Sequence, residues 1–148
     1  MRAVLDPNVL VSAAISGAGP PAELLRRWEA GQFELVVSAG VLFEALEVLK
    51  RPKFRRYLSE TEAVAYVLRL HDGAAEVSEE LPSEVVRGVT GDPDDDYLTG
   101  VALLGGAGVI VSGDRHLLSL GTIRDGEGNP LARILSPRDF LEELERTG

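Results

Sequence analysis

The run Val109-Ile110-Val111-Ser112-Gly113-Asp114 narrows the folds open to this chain more than any other stretch. Three consecutive β-branched residues between Gly108 and Gly113 show no alternation of polar and apolar faces, the pattern of a strand covered on both sides. The run closes on an acid. A second run of the same kind begins the chain, Ala3-Val4-Leu5-Asp6, and Pro7 stops it from continuing as a central strand. Doubly covered strands belong to parallel sheets with helices on their faces, and ligands of open sheets bind beyond the carboxyl ends of the strands. If the two strands are neighbours, Asp6 and Asp114 share one rim. The expected occupant is a divalent cation.

Several function classes fall away on composition. The 148 residues suffice for one core, and the expectation is one domain over 1–148 with no second unit. The absence of cysteine excludes disulfides, thiolate metal sites and thiol nucleophiles, which leaves oxygen and imidazole ligands. No apolar run approaches the roughly 20 residues of a membrane span, and Met1 to Asp6 does not form a signal peptide, so a cytoplasmic location and no membrane partner are expected. A net charge of −9 argues against broad, charge-driven nucleic-acid binding. One window departs from the average: Lys50, Arg51, Lys53, Arg55 and Arg56 lie within seven residues, either as a solvated turn between helices or as a surface that tracks phosphates.

Along the chain, strand and helix patterns alternate. If Asn8 to Ile15 is helical, Asn8 and Ser12 share one face near the first strand end. Ser16 to Pro21 reads as a loop, with Pro21 suited to the first turn of a helix to about Ala30 stopped by Gly31, and Phe33 to Val37 reads as the second strand. In the helix from Ala39 to Lys50, Val41, Leu42, Ala45, Leu46, Val48 and Leu49 form the buried arc, with Glu44 on its edge. Arg51-Pro52 ends it. Ser59 to Glu62 spells a capping box for a helix reaching Asp72, with a stripe of Val64, Val67, Leu68 and His71. Ala74 to Val77 reads as a short strand and 78–91 as a polar connection. Asp92 and Pro93 read as cap and first position of a helix in which Leu98, Val101, Ala102 and Gly105 face inward. Asp94 and Asp95 lie on the inner side and Asp96 on the outer. After the strand at Val109 come a short helix from Arg115 to Leu120, a turn over Gly126 to Pro130, a strand from Ala132 to Leu135 and a closing helix from Pro137. The class is α/β with a mainly parallel sheet.

If Asp6, Asp95 and Asp114 meet, their mutual repulsion calls for a cation, and an all-carboxylate set suits Mg²⁺ or Mn²⁺. Such an ion lowers the pKa of bound water and offsets charge on a phosphate under attack, the chemistry of phosphodiester hydrolysis. A plain structural account stands beside this one. The acids at helix starts are favoured by the macrodipole, and Asp6 and Asp114 can accept from loop amides. Trp28 and Tyr97 read as core or dimer contacts, and His71 and His116 as ordinary helix and loop residues.

Four pieces in this order, Val4-Leu5-Asp6-Pro7-Asn8-Val9-Leu10-Val11-Ser12-Ala13, Glu44 to Lys53, Asp92-Pro93-Asp94-Asp95 and Ser112-Gly113-Asp114-Arg115-His116-Leu117-Leu118, resemble the PIN-domain metal-dependent ribonucleases. They are closest to the VapC-like toxins of toxin–antitoxin pairs. The resemblance implies a three-layer α/β/α domain and a site of Asp6, Glu44, Asp95 and Asp114 that uses Mg²⁺ or Mn²⁺ to cleave RNA. Asp92 matches a further acidic position in the metal set. Asn8 and Ser112 match polar residues that position water, metal or phosphate, and Ser12 and Arg115 stand near them. A homodimer and a small inhibitory antitoxin are the implied partners. Pro7 departs from the pattern, because relatives carry a hydroxyl residue beside the first aspartate. A PIN-fold binding module without strong catalysis is the alternative, and a phosphoaspartate enzyme ranks below both because the residue two after Asp6 is Asn8 rather than Asp.

Overall fold

The computed structural model describes residues 1–77 and 93–147, with residues 93–96 described by their backbone alone. Expectations that fall on 78–92, including the cap at Asp92, lie outside the described residues. Six strands form one sheet: β1 (Arg2–Leu5), β2 (Glu34–Ser38), β3 (Ala75–Val77), β4 (Val109–Val111), β5 (Thr122–Arg124) and β6 (Pro130–Leu135), in the order β3-β2-β1-β4-β6-β5. Every pairing is parallel except β5 with β6. The helices described are α1 (Pro7–Ile15), α2 (Pro20–Glu29), α3 (Ala39–Leu49), α4 (Glu60–Gly73), α5 (Pro93–Leu104), α6 (Arg115–Leu120) and α7 (Pro137–Thr147), with a 3₁₀ turn at Pro52–Phe54. The arrangement is the expected three-layer α/β/α class with a mainly parallel sheet.

β1, β2 and β4 are buried through their centres, which is why their sequences are continuous in Val, Leu and Ile rather than alternating. Val4 stands beside Val36 on one side and Ile110 on the other, so the three side chains share one face of the sheet. α5 lies across β1, β2, β4 and β6, and Gly105 at its end comes so close to Val36 that an added Cβ would sit 2.3 Å from Cγ1. Leu98, Val101 and Ala102 face inward on this helix as their spacing implies. Gly31 ends the α2 turn with φ 81°, a conformation that costs glycine little.

Two expectations need correction. α4 has the full capping box at Ser59 and Glu62, but its buried face is Ala63, Val67 and Leu70, while Val64 and Leu68 remain exposed. The i, i+4, i+7 row beginning at Ala63 wins because a methyl side chain lets α4 approach its neighbour α3 closely. The segment Thr122–Arg124 is strand β5, absent from the sequence reading. Its three residues become extended by pairing antiparallel with β6 across a turn in which Asp125 accepts the amides of Glu127 and Asn129. No helix among the described residues is long and apolar enough to cross a membrane.

Candidate active site

β1 lies between β2 and β4, so the chain leaves β1 toward one side of the sheet and later returns on the other. That reversal opens a crevice at the carboxyl ends of β1 and β4. Leu5 is in register with Val111, which places the next residues, Asp6 and Ser112, opposite each other just past the last ladder pair. The Asp6 amide still donates to the Val111 carbonyl at 2.9 Å. Asp6 and Asp114 therefore do share one rim.

Local rules of chain termination aim both acids. Asp6 is the N-cap of α1, and its Oδ1 accepts the Asn8 amide at 3.0 Å. Its Oδ2 accepts from the Ser112 hydroxyl at 2.9 Å. Asp114 caps α6, and its Oδ1 accepts the amides of His116 at 2.8 Å and Leu117 at 3.2 Å. The Asp114 amide in turn donates to Ser112 Oγ at 3.0 Å. Ser112 is fully buried, so one hydroxyl fixes the spacing of the two acids from beneath. Pro7 fits this arrangement: at the first helical position its missing N–H would lack an intrahelical partner in any case, and Asp6 is held by Asn8 and Ser112 instead.

Asp6, Pro7, Asn8, Glu44, Tyr97, Leu98 and Asp114 line one cavity of about 170 Å³. A second cavity of about 340 Å³ shares Asp6, Asn8 and Asp114 and adds Ser12, so the first turns of α1 face both spaces. Tyr97, which the sequence places as a core or dimer contact, and Leu98, which it places facing inward, both line the cavity. The Tyr97 hydroxyl lies 2.9 Å from Oγ of Ser38, the buried residue that also caps α3 through the Val41 amide. The signal for Tyr97 was its place three residues after the inner acid Asp94, one turn along the same helix. Arg115 is exposed at the start of α6 and lines neither cavity.

Of the expected ligands, Asp6, Glu44 and Asp114 face one cavity. The backbone of Asp95 lies in the first turn of α5, its side chain is outside the description, and Asp92 is outside it altogether. Among the described residues no group of three or more His, Asp or Glu side chains is gathered tightly enough to hold a metal ion. The donor chemistry itself fits a hard cation. Every acidic lining group is a carboxylate, and an oxygen already accepting one hydrogen bond keeps a second lone pair. Oδ2 of Asp114 accepts nothing from a described residue. Capping and ion binding therefore do not exclude each other.

The PIN domain model matches residues 2–116. The chain belongs to the PIN domain family. PIN domains are generally nucleases and usually use divalent metals. The uncharacterized protein MJ1680 of Methanocaldococcus jannaschii is 28% identical over 151 residues, covering 99% of this PIN chain and 93% of the relative. Among solved structures, PAE2754 from Pyrobaculum aerophilum superposes with a TM-score of 0.64 at 16% identity, covering 99% of this chain and 90% of the other. VapBC2 from Rickettsia felis, bound to a DNA fragment from their promoter, superposes with a TM-score of 0.55 at 16% identity over 92% of this chain and 98% of the other. At these identities both structures speak for the fold alone.

Proposed function

We propose that residues 1–148 form one PIN-type nuclease domain that hydrolyses RNA phosphodiester bonds with Mg²⁺ or Mn²⁺, as the toxin of a toxin–antitoxin pair. The observation that carries the reading is the Asp6–Ser112–Asp114 linkage across the crevice between β1 and β4, facing a cavity that Glu44 also lines. Asp6, Asp95 and Asp114, with Asp92, would hold the ion. When bound, it supplies an acidified water and offsets charge on the phosphate.

The chain's own residues do the rest. Ser112 keeps Asp6 turned to the cavity, and the capping amides of α6 keep Asp114 beside it. The Glu44 carboxylate, exposed on the cavity wall, either joins the ligands or takes the proton of the attacking water. Asn8 and Ser12 line the cavities where the phosphate would sit, and Arg115, exposed outside them, would meet the RNA beyond the cleaved bond. A cytoplasmic homodimer completes the reading, and a small antitoxin as its restraint is suggested by the likeness to VapBC2 of Rickettsia felis.

One observation favours a second reading, a PIN-fold binding module that acts through a protein or RNA partner: the described acids alone are not gathered tightly enough for an ion. Turnover of a labelled single-stranded RNA with Mn²⁺ separates the two when wild type is compared with Asp6→Asn and Asp114→Asn. The nuclease reading expects both substitutions to remove turnover. Turnover equal in all three proteins would end the site assignment, and wild-type RNA binding without turnover would favour the module.

A further inference from the structure

We infer that the turn joining α3 to α4, residues Lys50 to Tyr57, binds the backbone of a single-stranded RNA whose cleaved bond lies in the cavity at Asp6. The inference rests on the ribonuclease reading for its ligand, and on separate observations for its place. In a chain of net charge −9, five of the 15 Lys and Arg residues are neutralised where they stand: Arg2 pairs with Glu34, Arg26 and Arg27 with Glu23, Arg69 with Glu29 and Arg133 with Glu143. Lys50, Arg51, Lys53 and Arg56 do not follow this pattern. All four are exposed, and none forms an ion pair with a described residue. Four uncompensated cations in seven residues repel one another and attract a polyanion.

The turn also carries aromatic faces. Lys53 Nζ lies 5.1 Å above the ring of Phe54, and the Arg56 guanidinium lies 4.9 Å above Tyr57 while donating to its hydroxyl at 2.8 Å. Tyr57 is 49% exposed, a large ring left in water beside a guanidinium plane. Unpaired bases stack on such rings, whereas the bases of a duplex are already stacked on one another, so the ligand is single-stranded. Arg55 is turned inward instead. Its Nη2 donates to the Leu49 carbonyl at the end of α3, which leaves Nε and Nη1 buried with no hydrogen-bond partner. Both nitrogens are closed to an external ligand, so Arg55 braces the turn from inside and adds no phosphate contact.

The turn follows the helix that carries Glu44. From Glu44 to the helix end at Leu49 is about 8 Å along the axis and the turn begins directly after it, so a strand lying along α3 can reach from the cavity to the basic turn.

The test uses the full chain, a fluorescent single-stranded RNA oligonucleotide and EDTA, so that binding is read by anisotropy without cleavage. Replacing Lys50, Arg51, Lys53 and Arg56 together by Gln is expected to weaken binding at least ten-fold at moderate salt. It should also flatten the slope of log K against log salt by about 3, given about 0.7 per phosphate contact on a single strand. Tyr57→Ala, which leaves the charges in place, is expected to weaken binding about ten-fold with the slope unchanged. If the quadruple variant folds poorly in a thermal melt, Tyr57→Ala and the wild-type salt slope decide instead. Unchanged affinity and slope in these variants overturn the inference, as does equal competition by a duplex of the same sequence or by a poly-glutamate peptide. The nuclease reading is scored separately. Wild type that binds through this turn yet never cleaves with Mn²⁺ leaves the inference standing and removes that reading, whereas normal cleavage with binding indifferent to the turn removes the inference alone.

Discussion

The hydroxyl of Ser112 donates to Oδ2 of Asp6 at 2.9 Å, joining residues 106 positions apart, and accepts the amide of Asp114 at 3.0 Å. A buried hydroxyl used in both directions at once fixes the Asp6 carboxylate against the Asp114 backbone. Ser112→Ala deletes both bonds and strands the Asp114 amide, a cost of about 1–3 kcal/mol in urea unfolding. Loss of an orienting partner lowers metal affinity or activity by about 10- to 100-fold. Urea midpoints and Mn²⁺-dependent RNA turnover measured on the same preparation check both; a less stable protein with full turnover would reduce Ser112 to a purely structural residue.

Metal addition has a thermal signature. An ion that binds only the folded chain adds about 2.7 kcal/mol when present at 100 times its Kd. At about 2–4 °C per kcal/mol for a chain of this size, Mn²⁺ is expected to raise the Tm of wild type by about 5–10 °C. Asp6→Asn and Asp114→Asn should lose most of that rise. Equal shifts in all three proteins would place the ion elsewhere.

Gly105 is where helix α5 touches the sheet. Its replacement by Ala drives a methyl into Val36 Cγ1 at 2.3 Å, and overpacking of a fully buried neighbour costs about 1–3 kcal/mol. Val36→Ala removes the obstruction, so the double variant is expected to lose less stability than the two single losses added together. Strict additivity in urea unfolding would show that α5 shifts to relieve the contact.

His71 gives the chain a pH dependence of known sign. Asp72 Oδ1 lies 3.3 Å from its Nδ1 and Glu76 Oε2 lies 2.8 Å from its Nε2, and the two carboxylates raise its pKa above the usual imidazole value. A folded-state pKa above the unfolded value, about 6.5, means that the stabilising contribution is complete below that pH and is lost as pH rises through the folded pKa. The side chain is half exposed, so the effect is small. Proton NMR titration should show the His71 midpoint falling toward the unperturbed value in Asp72→Asn and Glu76→Gln, with a flatter stability profile on the alkaline side in both. A midpoint indifferent to both substitutions would discard this account.

Much of the architecture was legible because the signals are local. The capping box at Ser59 and Glu62 involves four consecutive residues, and Pro93 and Pro137 stand at helix starts as read, while the helix expected from Pro21 begins one residue earlier at Pro20. The face of α4 was misplaced by one residue because Val64 and Leu68 are as apolar as the residues that do pack, and only the approach of α3 chooses between the rows. β5 carries no periodicity in three residues and exists through its partner. Tyr97 reads as a core or dimer contact because it is an aromatic residue on a helix, whereas its half-buried ring lines the cavity and its hydroxyl meets Ser38 from another part of the chain.

Local chemistry along the chain sets where strands stop and which of them stop on an acid: Leu5 before Asp6-Pro7, and Val111 before Ser112-Gly113-Asp114. Those are properties of neighbouring residues, set by backbone sterics and capping chemistry. Only the tertiary structure decided that β1 and β4 lie side by side in register, that Glu44 of α3 turns to the same cavity and that Ser112 bridges the two aspartates. Strand order is a choice among non-local pairings whose hydrogen bonds are alike at every register. It is settled by how the apolar faces of all the elements pack together, which no window of the chain contains.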